Sequence, residues 1–493
     1  MIVIGGGLAG LAASVALAES GCRVHLFEQR PFLGGRAASY ELPNGEHVDN
    51  CQHVTFGCCT NLEDFYRRVG AADKIKFFDR MVLIDPQGRR GEMHAGLLPA
   101  PLHMTGSFLT FAPLGLKDKI AIARAFNSII FSGGHPPDVD EPGGISMLEW
   151  LQRRRQTPAA ISRFWRTVLV SALSEELERI DARYGVDVFW KAVLATKHGY
   201  RMGVPAVALG ELYDGCRQAI AARGGEVIFR SPLRSLRIEN NQLRAAIFDN
   251  NREETADAFV VALPHQTLAE LLPDSAKQFE PALANLDKIT DAPITGVHFW
   301  FDRQVMSEPF LSLLDTTTQW IFNKSALYAG FKGVPKNGNA VSPAHNASSS
   351  QYLQLVISAS YDLLQMPRQE IIDLCLREVR HALPAARAAN LLKSTVIKEP
   401  AATFSPQPGV DRWRPMQETS IAGFFLAGDW TATGWPATME GAVRSGYLAA
   451  EAVLRKAGAP KRFLQPDLKP DGLSTFWAKR QPADAAYGGR EKV

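Results

Sequence analysis

Short apolar runs punctuated by glycine organise the start of this chain. Ile2-Val3-Ile4 leads into a glycine turn at Gly5-Gly6-Gly7, an apolar helical stretch follows, and a second short strand ends at Glu28. Residues 1–30 therefore read as β-α-β. Over 60–70 a Thr N-cap, an acid three positions on, helical periodicity and a terminal glycine predict a helix. Residues 77–95 read as strands around the turn Asp85-Pro86-Gln87-Gly88. From 98 to 223 the pattern is mainly helical, with segments at 120–131, 146–155, 161–173 and 186–195. Strands return at 226–229, at 235–239 and 243–248 around the hairpin turn Asn240-Asn241, and at 258–263. Residues 294–303 and 352–359 alternate as strands of another sheet, 369–382 is a helix, and a further apolar strand precedes Gly428. Residues 334–350, rich in Gly, Pro, Asn and Ser, predict a mobile loop, and 457–493 a loose tail.

Composition narrows the class. At 493 residues the chain exceeds one ordinary core. Its 46% hydrophobic and 21% charged content fits a soluble globular protein, and a net charge of +3 gives no field for nucleic acid. Cys22, Cys51, Cys58, Cys59, Cys216 and Cys375 lack zinc spacing and read as free thiols of a reducing compartment. The first strand leaves no room for a charged leader. The apolar stretch 120–131 contains Arg124 and is too short to span a bilayer.

The candidate chemistry lies in three separated pieces. Gly5-x-Gly7-x-x-Gly10 is a dinucleotide fingerprint: Gly7 admits a pyrophosphate, Leu8 and Ala9 open a helix whose amides face it, and Gly10 lets helix and sheet approach. Glu28, followed by Gln29, can accept from ribose hydroxyls. That piece allows NAD or FAD. Gly34-Gly35-Arg36, just beyond it, suits the longer cofactor. Far away, an apolar strand runs into Gly428-Asp429, and Thr438, Met439 and Ala442 open a helix whose N-terminus can approach a flavin.

Together these pieces resemble the superfamily of FAD-containing amine oxidases and phytoene desaturases. The resemblance implies an α/β fold: a Rossmann-type FAD-binding domain (1–97, 224–293 and 421–456) interrupted by a helical lobe (98–223) and a substrate-domain sheet and helix (294–420). It implies that Glu28 holds the adenosine ribose, Gly35 and Arg36 lie near the pyrophosphate, Val227 touches adenine through its backbone, and Asp429 holds the ribityl chain. Two runs are similar to the hydroxysqualene dehydroxylase family: Val48-Asp49-Asn50-Cys51-Gln52-His53-Val54 with the stretch to Arg68, and the stretch from Leu426 to Gly446. Cys51 stands where that family usually carries glycine.

This narrower resemblance implies reductive removal of a hydroxyl from hydroxysqualene, giving squalene. A general acid, Asp49 or His53 (Glu440 is another carboxyl in reach), would protonate the leaving hydroxide, and reduced flavin would deliver a hydride. Aromatics of the helical lobe either line a channel for the substrate or form its core. The substrate implies a cytoplasmic enzyme in peripheral contact with the inner face of the cell membrane and working beside a squalene-pathway enzyme. Arg153-Arg154-Arg155 either touches lipid head groups or is a solvated face. A carotenoid desaturase, a flavin amine oxidase and a non-catalytic flavoprotein scaffold are the alternatives.

Overall fold

A computed structural model describes residues 1–42, 47–328 and 350–478. Its first sheet is parallel and built from β1 (Ile2–Ile4), β2 (His25–Phe27), β3 (Glu226–Ile228), β4 (Phe259–Val261) and β5 (Phe424–Leu426), in the order β3-β2-β1-β4-β5. The chain thus enters this sheet three times, and β1, β4 and β5 are buried throughout, as a parallel sheet covered on both faces requires. Helix α1 (Leu8–Glu19) is buried from Leu8 to Ala18. It packs on α5 (Met439–Lys456) at Gly446, where a Cβ would come within 2.3 Å of the Ala9 carbonyl oxygen.

The second sheet has seven strands, in the order Leu391–Phe404, Asp291–Phe301, Gln351–Ser358, Trp320–Asn323, Phe310–Leu313, Arg80–Ile84 and Arg90–His94. The last two were expected within the first FAD-binding segment. Pairing of Leu83 and Ile84 with Ser312 and Leu313 instead draws them to the far edge of the large sheet. Helix Arg368–Ala382 buries Ile371, Cys375 and Val379 against this sheet. The hairpin at Asn240-Asn241 forms as expected, both residues taking positive φ (51° and 55°).

The helical lobe contains α3 (Thr105–Thr110), α4 (Leu116–Phe131) and shorter helices. The expected helices at 161–173 and 186–195 open into wide π turns at Ile161–Arg166 and Trp190–Leu194. These turns carry Phe164, Trp165 and Trp190, bulky rings that pack together with Phe126 and Phe189; Trp165 and Phe189 meet edge-on at 4.6 Å. Trp150, Trp165 and Phe189 are fully buried. Phe111, Trp150, Phe164, Trp165, Phe189 and Trp190 are therefore core, Phe108 and Phe126 pack against it, and Phe131 is exposed.

Residues 457–478, expected as part of a loose tail, are strapped to the body. Gln465 N donates to Asn61 Oδ1 (2.8 Å), Leu473 N to the Ala100 carbonyl (2.8 Å) and Ser474 Oγ to the Leu194 carbonyl (2.7 Å). Each partner is hundreds of positions away, so no local pattern announces the strap. The remainder of the tail, and the expected mobile loop apart from Ser350, lie outside the described residues. All six cysteines are free thiols.

Candidate functional site

The glycine turn builds a cradle. Gly34 N donates to the Gly6 carbonyl (2.8 Å), which lays the second glycine pair against the first. Gly7 then lies close against Gly35: a Cβ on Gly7 would touch the Gly35 Cα at 3.8 Å, and one on Gly35 would come within 3.0 Å of the Gly7 Cα. Helix α1 starts at Gly7 with no side-chain cap, so its first amides are left for an anion. At the end of β2, the buried Glu28 accepts from Gly6 N (2.6 Å) and Arg30 N (2.8 Å). Each of its oxygens keeps a further lone pair for a ribose hydroxyl. Gln29 beside it is exposed. Glu226 N and the Ile228 carbonyl bond towards β2, which turns the Val227 backbone to the open edge of the sheet.

The distant piece completes the cradle. Arg36 donates to Asp429 Oδ1 (2.7 Å) and to the Ala402 carbonyl (2.8 Å), joining the glycine turn, the loop after β5 and the large sheet. Gly428 N donates to Ser445 Oγ on α5 (2.8 Å). Thr438 caps α5 through Gly441 N (3.0 Å), and Met439 and Ala442 lie in its first turn. Glu440 is buried and caps another helix, α2 (Thr60–Arg68), accepting from Asn61 N, Asn61 Nδ2 and Leu62 N. Its carboxylate is thus committed to holding α2 against α5. Arg414, which sequence reasoning missed, is buried under this loop and donates to the carbonyls of Asp429 (3.0 Å), Thr431 (2.6 Å) and Trp435 (2.8 Å).

The run at 49–53 bridges the cradle and the large sheet. Asn50 Nδ2 donates to the Arg36 carbonyl (2.9 Å), and Gln354 Nε2 to the Asp49 carbonyl (3.4 Å). Cys51 is accommodated because Gly296 stands opposite: a Cβ there would lie 3.1 Å from the Asn50 carbonyl oxygen. Burial pushes the Cys51 thiol up to about 12, so it is an inert packing group.

Asp49 is fully buried and engaged on both oxygens. Oδ1 accepts from Ser39 Oγ (2.8 Å) and Leu209 N (3.1 Å), and Oδ2 from Lys324 Nζ (2.9 Å) and the Tyr328 hydroxyl. Burial alone would raise its pKa, but the Lys324 ammonium and the Tyr328 hydroxyl outweigh that and hold it below the usual carboxylate range. An anion so held has no proton to give at neutral pH. A carboxylate so held does not match the proton donor expected at this position. Nothing in the sequence around Lys324, itself fully buried with Nζ 2.7 Å from Gln52 Oε1, marks it as the partner. His53 differs. Burial lowers its pKa, so the ring is neutral, and Nδ1 lies 3.0 Å from the Cys51 carbonyl oxygen. A carbonyl only accepts, so Nδ1 carries the proton and Nε2 the lone pair. His53 is thus poised to take a proton.

A family model described as flavin containing amine oxidoreductase matches residues 8–454 of the chain. The chain belongs to that family. FAD is accordingly its cofactor, and the cradle fits it from Glu28 through the paired glycine turns to the N-terminus of α5. Among curated members, the 15-cis-phytoene desaturase of Solanum lycopersicum is 26% identical over 477 residues, covering 92% of this chain and 77% of the relative. The zeta-carotene desaturase of Synechocystis sp. is 27% identical over 478 residues, covering 92% and 96%. Among solved structures, a putrescine oxidase bound to putrescine (13% identity, TM-score 0.67, 92% and 98% covered) shares the fold. So does cyclohexylamine oxidase from Brevibacterium oxydans (15% identity, TM-score 0.65, 93% and 99% covered). Such low identities speak to the fold alone.

Proposed function

We propose that this FAD-dependent oxidoreductase desaturates a long apolar isoprenoid chain. The observation that carries the reading is the geometry at 49 and 53, where Asp49 accepts on both oxygens from four donors, Lys324 among them, and His53 Nδ1 faces the Cys51 carbonyl. Desaturation removes a hydride equivalent and a proton from adjacent carbons, so the protein must supply a base. His53, neutral with its lone pair on Nε2, is that base, while Asp49 and Lys324 fix the run that presents it. Bound FAD supplies the hydride acceptor. The relatives named as phytoene and zeta-carotene desaturases support the same direction and substrate class. Cys51, Met202, Phe310, Phe322 and Val356 pack as an apolar core beside the run and keep water from it.

The runs at 48–68 and 426–446 favour a second reading, reductive dehydroxylation of hydroxysqualene. That reaction needs a proton donor, which neither anionic Asp49 nor neutral His53 provides. The two readings separate in one experiment. Oxidised holoprotein is given phytoene, and reduced holoprotein under anaerobic conditions is given hydroxysqualene, with products identified by mass. A product of phytoene two hydrogens lighter is the expected result; squalene alone would establish the second reading. In the same assay His53→Gln keeps its flavin and loses about 10²-fold or more in turnover. Wild-type turnover in that variant would remove His53 from the mechanism.

A further inference from the structure

Exposed large apolar side chains are concentrated in one place. Nine of the twelve among the described residues fall within 97–131 and 473–476. Leu97 is fully exposed, and Leu109, Leu116, Ile120, Phe131 and Phe476 are 45% to 78% exposed. The two segments form one surface. Leu473 N donates to the Ala100 carbonyl (2.8 Å), Lys119 Nζ to the Leu109 carbonyl (2.7 Å), and the Phe131 and Trp477 rings meet at 5.5 Å. On α4 the residues at 116, 120, 123, 124, 127 and 131 share the exposed face, where Leu116, Ile120, Ala123 and Phe131 are apolar and Arg124 and Asn127 interrupt them.

The charges along α4 lean to one sign. Between 95 and 133 the chain carries Lys117, Lys119 and Arg124 but one carboxylate, Asp118. Asp118 is spent capping α4, accepting from Gly115 N (2.9 Å) and Thr157 Oγ1 (2.6 Å). Apolar side chains ringed by cations complement an anionic lipid surface, whose acyl region takes the first and whose head groups take the second. Among the described residues no helix is long and apolar enough to cross a membrane, so the contact is peripheral. The alternative cationic run does not compete: Arg153 pairs with Glu141 and Glu149, and Arg154 pairs with Asp138 and stacks on Trp150.

We infer that α3, the exposed face of α4 and the 473–476 strap form a docking surface for an anionic bilayer. Its purpose rests on the isoprenoid reading above, because such a substrate resides in lipid. From this surface Ala95 N bonds to the Tyr200 hydroxyl (2.9 Å), two residues before Met202 of the apolar cluster beside the 49–53 run.

The test is co-sedimentation of the holoprotein with vesicles of phosphatidylcholine alone, or of phosphatidylcholine and phosphatidylglycerol in equal parts. The wild type sediments with the anionic vesicles. Combined Leu97→Ser, Leu116→Ser and Phe476→Ser lowers its partition coefficient by about tenfold or more, with flavin content and melting temperature unchanged. Lys117→Glu with Arg124→Glu removes the preference for phosphatidylglycerol. A wild type that stays in the supernatant with both vesicles overturns the inference. So does a triple variant that binds equally well, or a patch that proves to be a dimer contact broken by the triple variant without change in lipid binding. Because binding is read without turnover, failure here and failure of the desaturation assay are told apart.

Discussion

Gly7→Ala gives a folded but colourless protein, whereas Gly10→Ala gives little folded protein at all. The two glycines belong to one motif yet answer to different neighbours. A Cβ at Gly10 would lie 1.9 Å from the carbonyl oxygen of Gly5, which is itself held at φ +107°, so backbone must move and the contact of α1 with the sheet is broken. That costs about 4 kcal/mol or more, a large share of a domain's stability. At Gly7 the added methyl meets only the Gly35 Cα, at an ordinary 3.8 Å, so the fold tolerates it. It crowds the uncapped first amides of α1 that are expected to hold the pyrophosphate, and FAD affinity falls by about 100-fold, or about 3 kcal/mol. Flavin-to-protein absorbance ratio, FAD titration and thermal unfolding of both variants check the pair. Normal flavin content in Gly7→Ala would show that the phosphates are held elsewhere.

Lys324→Met destabilises the protein by about 3–5 kcal/mol, because it leaves the Asp49 carboxylate buried without its cation. Asp49→Asn added to that variant recovers part of the loss, since the stranded charge is gone. The pair also sets an acid limb. Asp49 binds its proton more weakly in the folded protein than in the unfolded chain. Its contribution is therefore complete above the ordinary aspartate pKa of about 3.9 and is lost as pH falls through the lower folded value. Denaturant unfolding of wild type and variants between neutral and acid pH reads both effects. A single variant Lys324→Met as stable as wild type would show that Asp49 is not held as an anion.

How far the sequence announced this site depends on the kind of signal. The cradle was legible because backbone geometry at Gly5, Gly7, Gly10 and Gly35 leaves its mark in residue type, and because Glu28 sits at a fixed distance along the chain. The parallel sheet was legible from its buried apolar runs. Side-chain pairing was not: Lys324 and Tyr328 reach Asp49 from 275 and 279 positions away, and Arg414 reaches the flavin loop by backbone carbonyls that no residue type encodes. The charge state of Asp49 was not legible, because it is decided by those distant partners. Which of the two readings of the lobe's rings holds, and the order of 457–478, were not legible for the same reason, composition being silent on what packs against what.

The central claim, that the flavin works on a long isoprenoid chain, is tested most directly by anaerobic mixing of the oxidised holoprotein with phytoene in detergent while the flavin absorbance is followed. The account predicts loss of the oxidised-flavin band in step with one equivalent of desaturated product. An unchanged flavin spectrum with phytoene and with reduced-enzyme addition of hydroxysqualene, together with prompt bleaching by a simple amine, would contradict it.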